Sequence, residues 1–161
     1  MKKLLRYGML GAGLLVVLAQ LVRPSKENHA VDESVSIRLF DPPAKVLEVL
    51  QRSCFDCHSY ETRWPWYSTI TPINFLIAED VRKARQRLNF SDWGKLKRIK
   101  QQGLLQMIED QVSLKEMPLP RYLYLHPGAA LSEAEIDAIS AWVAEEQTRL
   151  SEPDQPGQKK K

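Results

Sequence analysis

The chain opens with Lys2, Lys3 and Arg6 and runs into an apolar stretch from Tyr7 to Val22 that only Gln20 interrupts; Arg23 closes it. As a helix these 16 residues rise about 24 Å, a little short of a hydrocarbon core of roughly 30 Å. A basic start followed by apolar residues reads as a signal anchor or as a cleaved signal peptide, with Val17-Leu18-Ala19 as a candidate cleavage site. Either way the body is expected to be exported while the basic end stays in the cytoplasm. Residues 24–36 are polar and unpatterned, a linker.

Beyond the linker, apolar residues recur at helical spacing between prolines. Asp41, with Pro42 behind it, is expected to cap a helix that carries Val46, Leu47 and Leu50 and ends near Cys54. A second helix is expected from Thr71-Pro72, with Ile73, Leu76, Ile77, Val81, Ala84 and Leu88 on one side. Ser91 can cap a third, faced by Trp93, Leu96, Leu104, Met107 and Ile108 and interrupted by Gly103. Pro118 and Pro120 forbid regular structure in the stretch that follows. The last helix has the clearest start: Ser132 with Glu135 forms a capping box, and Leu131 with Ile136 a hydrophobic staple. Ile136, Ile139, Trp142 and Val143 then face inward. Ser36–Phe40 reads as extended, and residues 151–161 as a disordered tail. The resulting division is 1–23 signal anchor or signal peptide, 24–36 linker, 37–150 one domain, and 151–161 tail. The fold class is all-α.

Composition adds bounds. At 161 residues, 43% hydrophobic and 27% charged, the chain has room for one core. The net charge of +3 hides an asymmetry, because residues 24–158 hold 16 basic groups against 20 acidic ones. Nucleic acid, which wants a clustered basic face, is not an expected partner. The runs Arg82-Lys83-Arg85-Arg87 and Lys95-Lys97-Arg98-Lys100 read as solvated helix faces or as docking sites for an acidic redox partner. Two cysteines cannot staple a domain of this size.

Those two cysteines stand in Cys54-Phe55-Asp56-Cys57-His58, a C-x-x-C-H motif. This is the attachment pattern of c-type haem. Two thiols two residues apart add across the porphyrin vinyl groups, and the following histidine is carried under the iron. Three rivals weaken on inspection. Thioredoxin-like chemistry wants a strand leading into the pair, whereas a helix leads in here. A zinc site needs a fourth ligand, and no second cysteine pair exists. A plain disulfide leaves His58 without a role.

For the second axial position Met117, His126, Met107 and His29 are candidates. Met117 follows the middle helices and precedes the last one, the chain order of small class I cytochromes c. Met107 sits on an apolar helical face as packing material, His126 in a Pro-Gly turn, and His29 in the linker. Trp64, Trp66 and Tyr67 can wall a porphyrin or pack the core, and Arg63 can pair with a propionate or stay solvated.

The run CFDCHSYETRWPWYS, Cys54 to Ser68, resembles the bacterial haem-binding domain family of cytochrome c-like proteins. LNFSDW (Leu88–Trp93), KEMPLP (Lys115–Pro120), Leu125-His126-Pro127 and the Leu131-Ser132…Trp142 segment match its pattern in the same order. The resemblance spans about residues 35–148. It implies a small cytochrome c-like domain around one covalent haem c, exported and often tethered to the membrane. It makes Cys54 and Cys57 the attachment residues, His58 an axial ligand of the iron and Met117 the distal one.

The function expected is electron transfer by a membrane-tethered periplasmic carrier, more an electron-transfer or haem-binding protein than an enzyme. A redox partner protein is implied and no small-molecule substrate. The alternative is a haem-based sensor or peroxidase-like enzyme with a displaceable sixth ligand, and behind it a haem-free thiol-redox or interaction module.

Overall fold

The computed structural model describes residues 2–152. Among them every regular element is helical: α1 (Lys2–Ala19), α2 (Ala44–Ser53), α3 (Phe55–His58), α4 (Ile73–Arg87), α5 (Arg98–Ser113), α6 (Pro120–Leu123) and α7 (Glu133–Ser151). Short 3-10 turns fill in at Ile37–Phe40, Trp66–Thr69, Phe90–Lys95 and Pro127–Ala129.

The core forms where three apolar stripes meet. Val46, Val49, Leu50 and Ser53 bury one face of α2. Leu104, Leu105, Ile108 and Val112 do the same on α5, and Ile136, Ile139, Trp142, Val143 and Leu150 on α7. The spacing of three and four residues puts each set on one stripe. α5 lies against α7, α2 against α7, and α3 against α4. Leu50, Leu105, Ile139 and Val143 are fully enclosed. Arg98 closes the far end of α7: its guanidinium donates to the carbonyls of Leu150 (3.1 Å), Arg149 (3.0 Å) and Glu152 (2.6 Å). Those carbonyls have no partner within the helix.

The capped start of α7 is as the sequence implies. The Glu135 carboxylate accepts from the Ser132 amide at 2.8 Å and from its hydroxyl at 2.9 Å. Three other starts differ. Asp41 does not cap α2; it closes the preceding 3-10 turn in the left-handed region (φ 50°), and Pro43 stands at the α2 cap. Ser36–Phe40 is accordingly a 3-10 turn rather than extended. The expected third helix is two pieces: Asn89 caps the Phe90–Lys95 turn by accepting from the Ser91 amide, and α5 begins afresh at Arg98. The proline-rich stretch keeps one turn of helix, α6, with Pro120 in its first turn, where a missing N–H costs nothing.

Residues 24–36 form no helix but lie along the domain. Arg23 donates to the Thr69 carbonyl (2.8 Å), Lys26 to the Ser68 hydroxyl (2.7 Å) and Asn28 to the Thr62 carbonyl (2.9 Å). α1 carries exposed Leu5, Leu10, Leu14, Leu15, Val16 and Val17. Among the described residues no helix is long and apolar enough to cross a membrane. The end of the 151–161 tail, with its three lysines, lies outside the described residues.

Candidate functional site

The C-x-x-C-H segment begins where α2 breaks. The Cys54 amide still donates to Leu50 at 2.9 Å, but its backbone leaves helical geometry (φ −122°), and the single turn α3 starts in a new direction. The amides of Cys57 and His58 both return to the Cys54 carbonyl, at 3.1 and 2.9 Å. Cys54, Cys57 and His58 are thereby held on one rigid turn.

Both thiols are free. Burial pushes Cys54 up to about 12, reinforced by Cys57. Burial, then Asp56 and Asp80, push Cys57 up to about 11. Neutral thiols of this kind make poor redox nucleophiles. Among the described residues no group of three His, Cys, Asp or Glu side chains could hold a metal ion.

His58 is oriented from behind. Its Nδ1 lies 3.0 Å from the Leu88 carbonyl oxygen, which can only accept, so Nδ1 carries the proton and Nε2 keeps its lone pair. Burial also lowers its pKa, favouring the neutral ring that binds metal. Phe90 sits edge-on to the imidazole, ring centres 6.4 Å apart, and stacks on Phe55 at 5.5 Å.

Three adjoining cavities open around this turn. The smallest, about 90 Å³, is lined by Cys54, His58, Leu88, Phe90, Met107 and Met117 among others. It shares Cys54, His58, Arg87 and Met117 with a second of about 210 Å³, which adds Cys57, Leu119 and Tyr122. That one in turn shares Cys57, Leu119 and Tyr122 with a third of about 410 Å³, walled by Trp66, Tyr67, Ile73, Leu76, Leu125 and His126. The result is a largely apolar cleft with two thiols, the His58 and His126 imidazoles and the Met107 and Met117 thioethers on its walls. That donor set suits an iron porphyrin: thiols for the vinyl groups, Nε2 and a sulfur for the metal, apolar walls for the macrocycle.

The structure brings most of the sequence-derived site residues to this cleft and separates others. Cys54, Cys57, His58 and Met117 line it together. Tyr67 and Trp66 wall its outer part, Trp66 being 77% exposed. Trp64 lines a different groove, between the linker and α4. Arg63 reaches the outer cavity but is held by Asp56, Nε to Oδ1 at 3.0 Å. His126 stacks on Tyr122 (ring centres 4.0 Å) and lines only the outer cavity. His29 packs edge-on to Tyr60 instead.

Met107, read from the sequence as plain packing, lines the smallest cavity next to Met117. Sequence reasoning missed several parts. The Leu88 carbonyl is one, and a backbone atom leaves no side-chain signal; the LNFSDW run was the only pointer. Asp56 is another. It accepts from Arg63 and, at 3.1 Å, from the Tyr122 hydroxyl, whose ionisation burial and Asp56 both push up. A residue inside the motif thus ties α6 to α3.

An all-helical domain with a C-x-x-C-H turn facing an apolar cleft is the class of protein these features define. The chain belongs to the haem-binding domain family: the family model described as a haem-binding domain matches residues 14–145. No curated protein and no solved structure gives a significant match.

Proposed function

We propose that this haem-binding protein carries one covalent haem c and works as an electron carrier. The observation that carries the reading is convergence: Cys54, Cys57, His58 and Met117, spread over 64 positions, line one cleft. When bound, the iron supplies one-electron chemistry. Cys54 and Cys57 would hold the porphyrin as thioethers, and His58, oriented by Leu88, would present Nε2 to the metal. Met117, which lines the same cavities, would offer the metal a sulfur, and a His/Met pairing raises the reduction potential. Apolar walls exclude water and keep the charge change at the iron from reorganising solvent.

The chain would be anchored by residues 1–23 in the cytoplasmic membrane with the haem domain in the periplasm. Supporting this are Lys2, Lys3 and Arg6 ahead of an apolar segment whose side chains stay exposed in α1. A tether raises the effective concentration at a membrane-bound redox partner. The exposed edge formed by Trp66, Leu76 and Leu125 offers such a partner an approach to the cleft.

The test is to mature the chain alongside a cytochrome-assembly apparatus and measure intact mass and haem stain on a denaturing gel. Added mass of one haem, lost in the Cys54→Ser/Cys57→Ser double variant, is the result expected. Apoprotein alone would end the reading. Carbon monoxide binding by the wild-type ferrous form would instead favour a sensor or peroxidase-like role with a displaceable sixth ligand.

A further inference from the structure

The cations around the cleft are almost all committed. Arg63 is held by Asp56, Arg121 by Asp80 (2.9 Å) and Lys83 by Glu79 (3.3 Å). Arg82 pairs with the same Glu79 at 2.6 Å. Arg85 turns inward and donates to the Ser59 and Glu27 carbonyls and to the side chains of Asn28 and Thr62. The basic run on α4 is therefore not a uniform solvated face. Arg87, at its end, is the exception: its guanidinium has no hydrogen-bond or ion-pair partner among the described residues.

Arg87 lines both inner cavities, together with Cys54, His58 and Met117. In the smallest cavity it is the only charged lining residue, the rest being apolar or neutral. Acidic groups gather elsewhere: Asp56 and Asp80 belong to the Cys57 side. A carboxylate on a ligand in this cleft finds the cations of the Cys57 side already paired with Asp56 and Asp80, and an uncommitted guanidinium at the Arg87 side. A guanidinium matches a carboxylate with two parallel hydrogen bonds.

We infer that Arg87 binds a propionate carboxylate of the porphyrin, the role the sequence suggested for Arg63. This rests on the proposed haem reading. Arg87 thereby fixes which edge of the macrocycle faces the end of α4.

The experiment uses the full chain with its haem and compares wild type with Arg87→Lys, Arg87→Gln and, as a control on the same helix, Arg82→Gln. Resonance Raman reads the propionate bending vibration, and a redox titration at fixed pH reads the midpoint potential. Arg87→Gln should shift the vibration to lower frequency, as a weaker hydrogen bond does, and lower the potential by removing a positive charge. Arg87→Lys should fall between, and Arg82→Gln should leave the vibration where it was. An unmoved vibration in haem-loaded Arg87→Gln overturns the inference. Should Arg87→Gln load less haem, recovery in Arg87→Lys supports it, and equal loss in both overturns it. Wild-type chain without haem refutes the haem reading itself and this inference with it.

Discussion

The Leu88 carbonyl oxygen stands 3.0 Å from Nδ1 of His58, thirty residues earlier in the chain. This one contact settles the imidazole tautomer, and Leu88 can make it because α4 ends there. The Leu88 amide still donates to Ala84, but its backbone has turned extended (φ −146°, ψ 124°), swinging the carbonyl out of the helix. Phe90 follows within two residues and packs beside the same ring. The α4 terminus is thus the back wall of the site.

The Arg52–Glu135 pair joins α2, which delivers the motif, to the start of α7, at 2.9 Å. Arg52, then the Ser132 amide, hold Glu135 down at about 2. A carboxylate depressed on folding stabilises fully above its unfolded pKa and loses that contribution as pH falls through the folded one. The window runs from about 4.5 down to about 2. Glu135→Gln should cost about 1 kcal/mol at pH 7. Denaturation midpoints of the two proteins should converge as pH drops through that window.

Two glycines should respond oppositely to alanine. A Cβ on Gly94 would meet the Val35 Cα at 3.0 Å and its carbonyl oxygen at 3.1 Å, while the Gly94 amide already donates to that oxygen at 2.7 Å. The obstacle is backbone, so Gly94→Ala should destabilise by about 1–2 kcal/mol. Gly103, inside α5, has nothing within 4 Å of a built Cβ. Gly103→Ala should stabilise by about 1 kcal/mol. Thermal melts of both variants check the pair.

What could be read in the sequence was what local spacing encodes. The stripes of α2 and α7 follow from Val46, Leu50, Ile136, Ile139 and Val143 repeating every three or four residues, and the α7 box from Ser132 and Glu135. The C-x-x-C-H spacing likewise needs no tertiary contact. Asp41 misled because capping residues also favour the left-handed region, and the chain used that property instead. Ser91 misled because Asn89, two residues earlier, takes the capping bond. On α4 the stripe did not predict burial: Val81 is enclosed, whereas Ile73 and Leu76 are 43% and 53% exposed along the cleft. A cofactor face and a core face carry the same apolar code. Arg85 and Arg87, two apart, differ wholly in commitment, which depends on the linker and on the Ser59–Thr62 loop and not on the helix.

Lys115, at the end of α5, holds a left-handed backbone (φ 56°) at the entry to the Met117 loop. A side chain there costs about 1 kcal/mol that glycine avoids. Its ammonium contacts Glu133 at 2.6 Å, but both groups are exposed, and such a pair is typically worth about 0.5 kcal/mol. Lys115→Gly should therefore raise stability by about 0.5 kcal/mol, read from denaturant midpoints.

Met117 and Met107 line the same small cavity, so they make a discriminating pair. The Met117 amide is tied back to the Gln111 carbonyl at 3.1 Å, beside Glu116, which takes the Gln111 side chain at 2.7 Å. That loop is anchored well enough to hold a sulfur in place. Met107 instead packs against the core on the partly buried face of α5. If Met117 is the distal ligand, Met117→Ala should abolish the methionine-to-iron charge-transfer band of the ferric protein and admit carbon monoxide to the ferrous one. The potential should fall by a shift well inside the roughly 0.8 V span that axial ligands command. Met107→Ala should keep the band and cost about 2–3 kcal/mol of stability through the enlarged cavity. A band lost in Met107→Ala and kept in Met117→Ala would exchange the two roles.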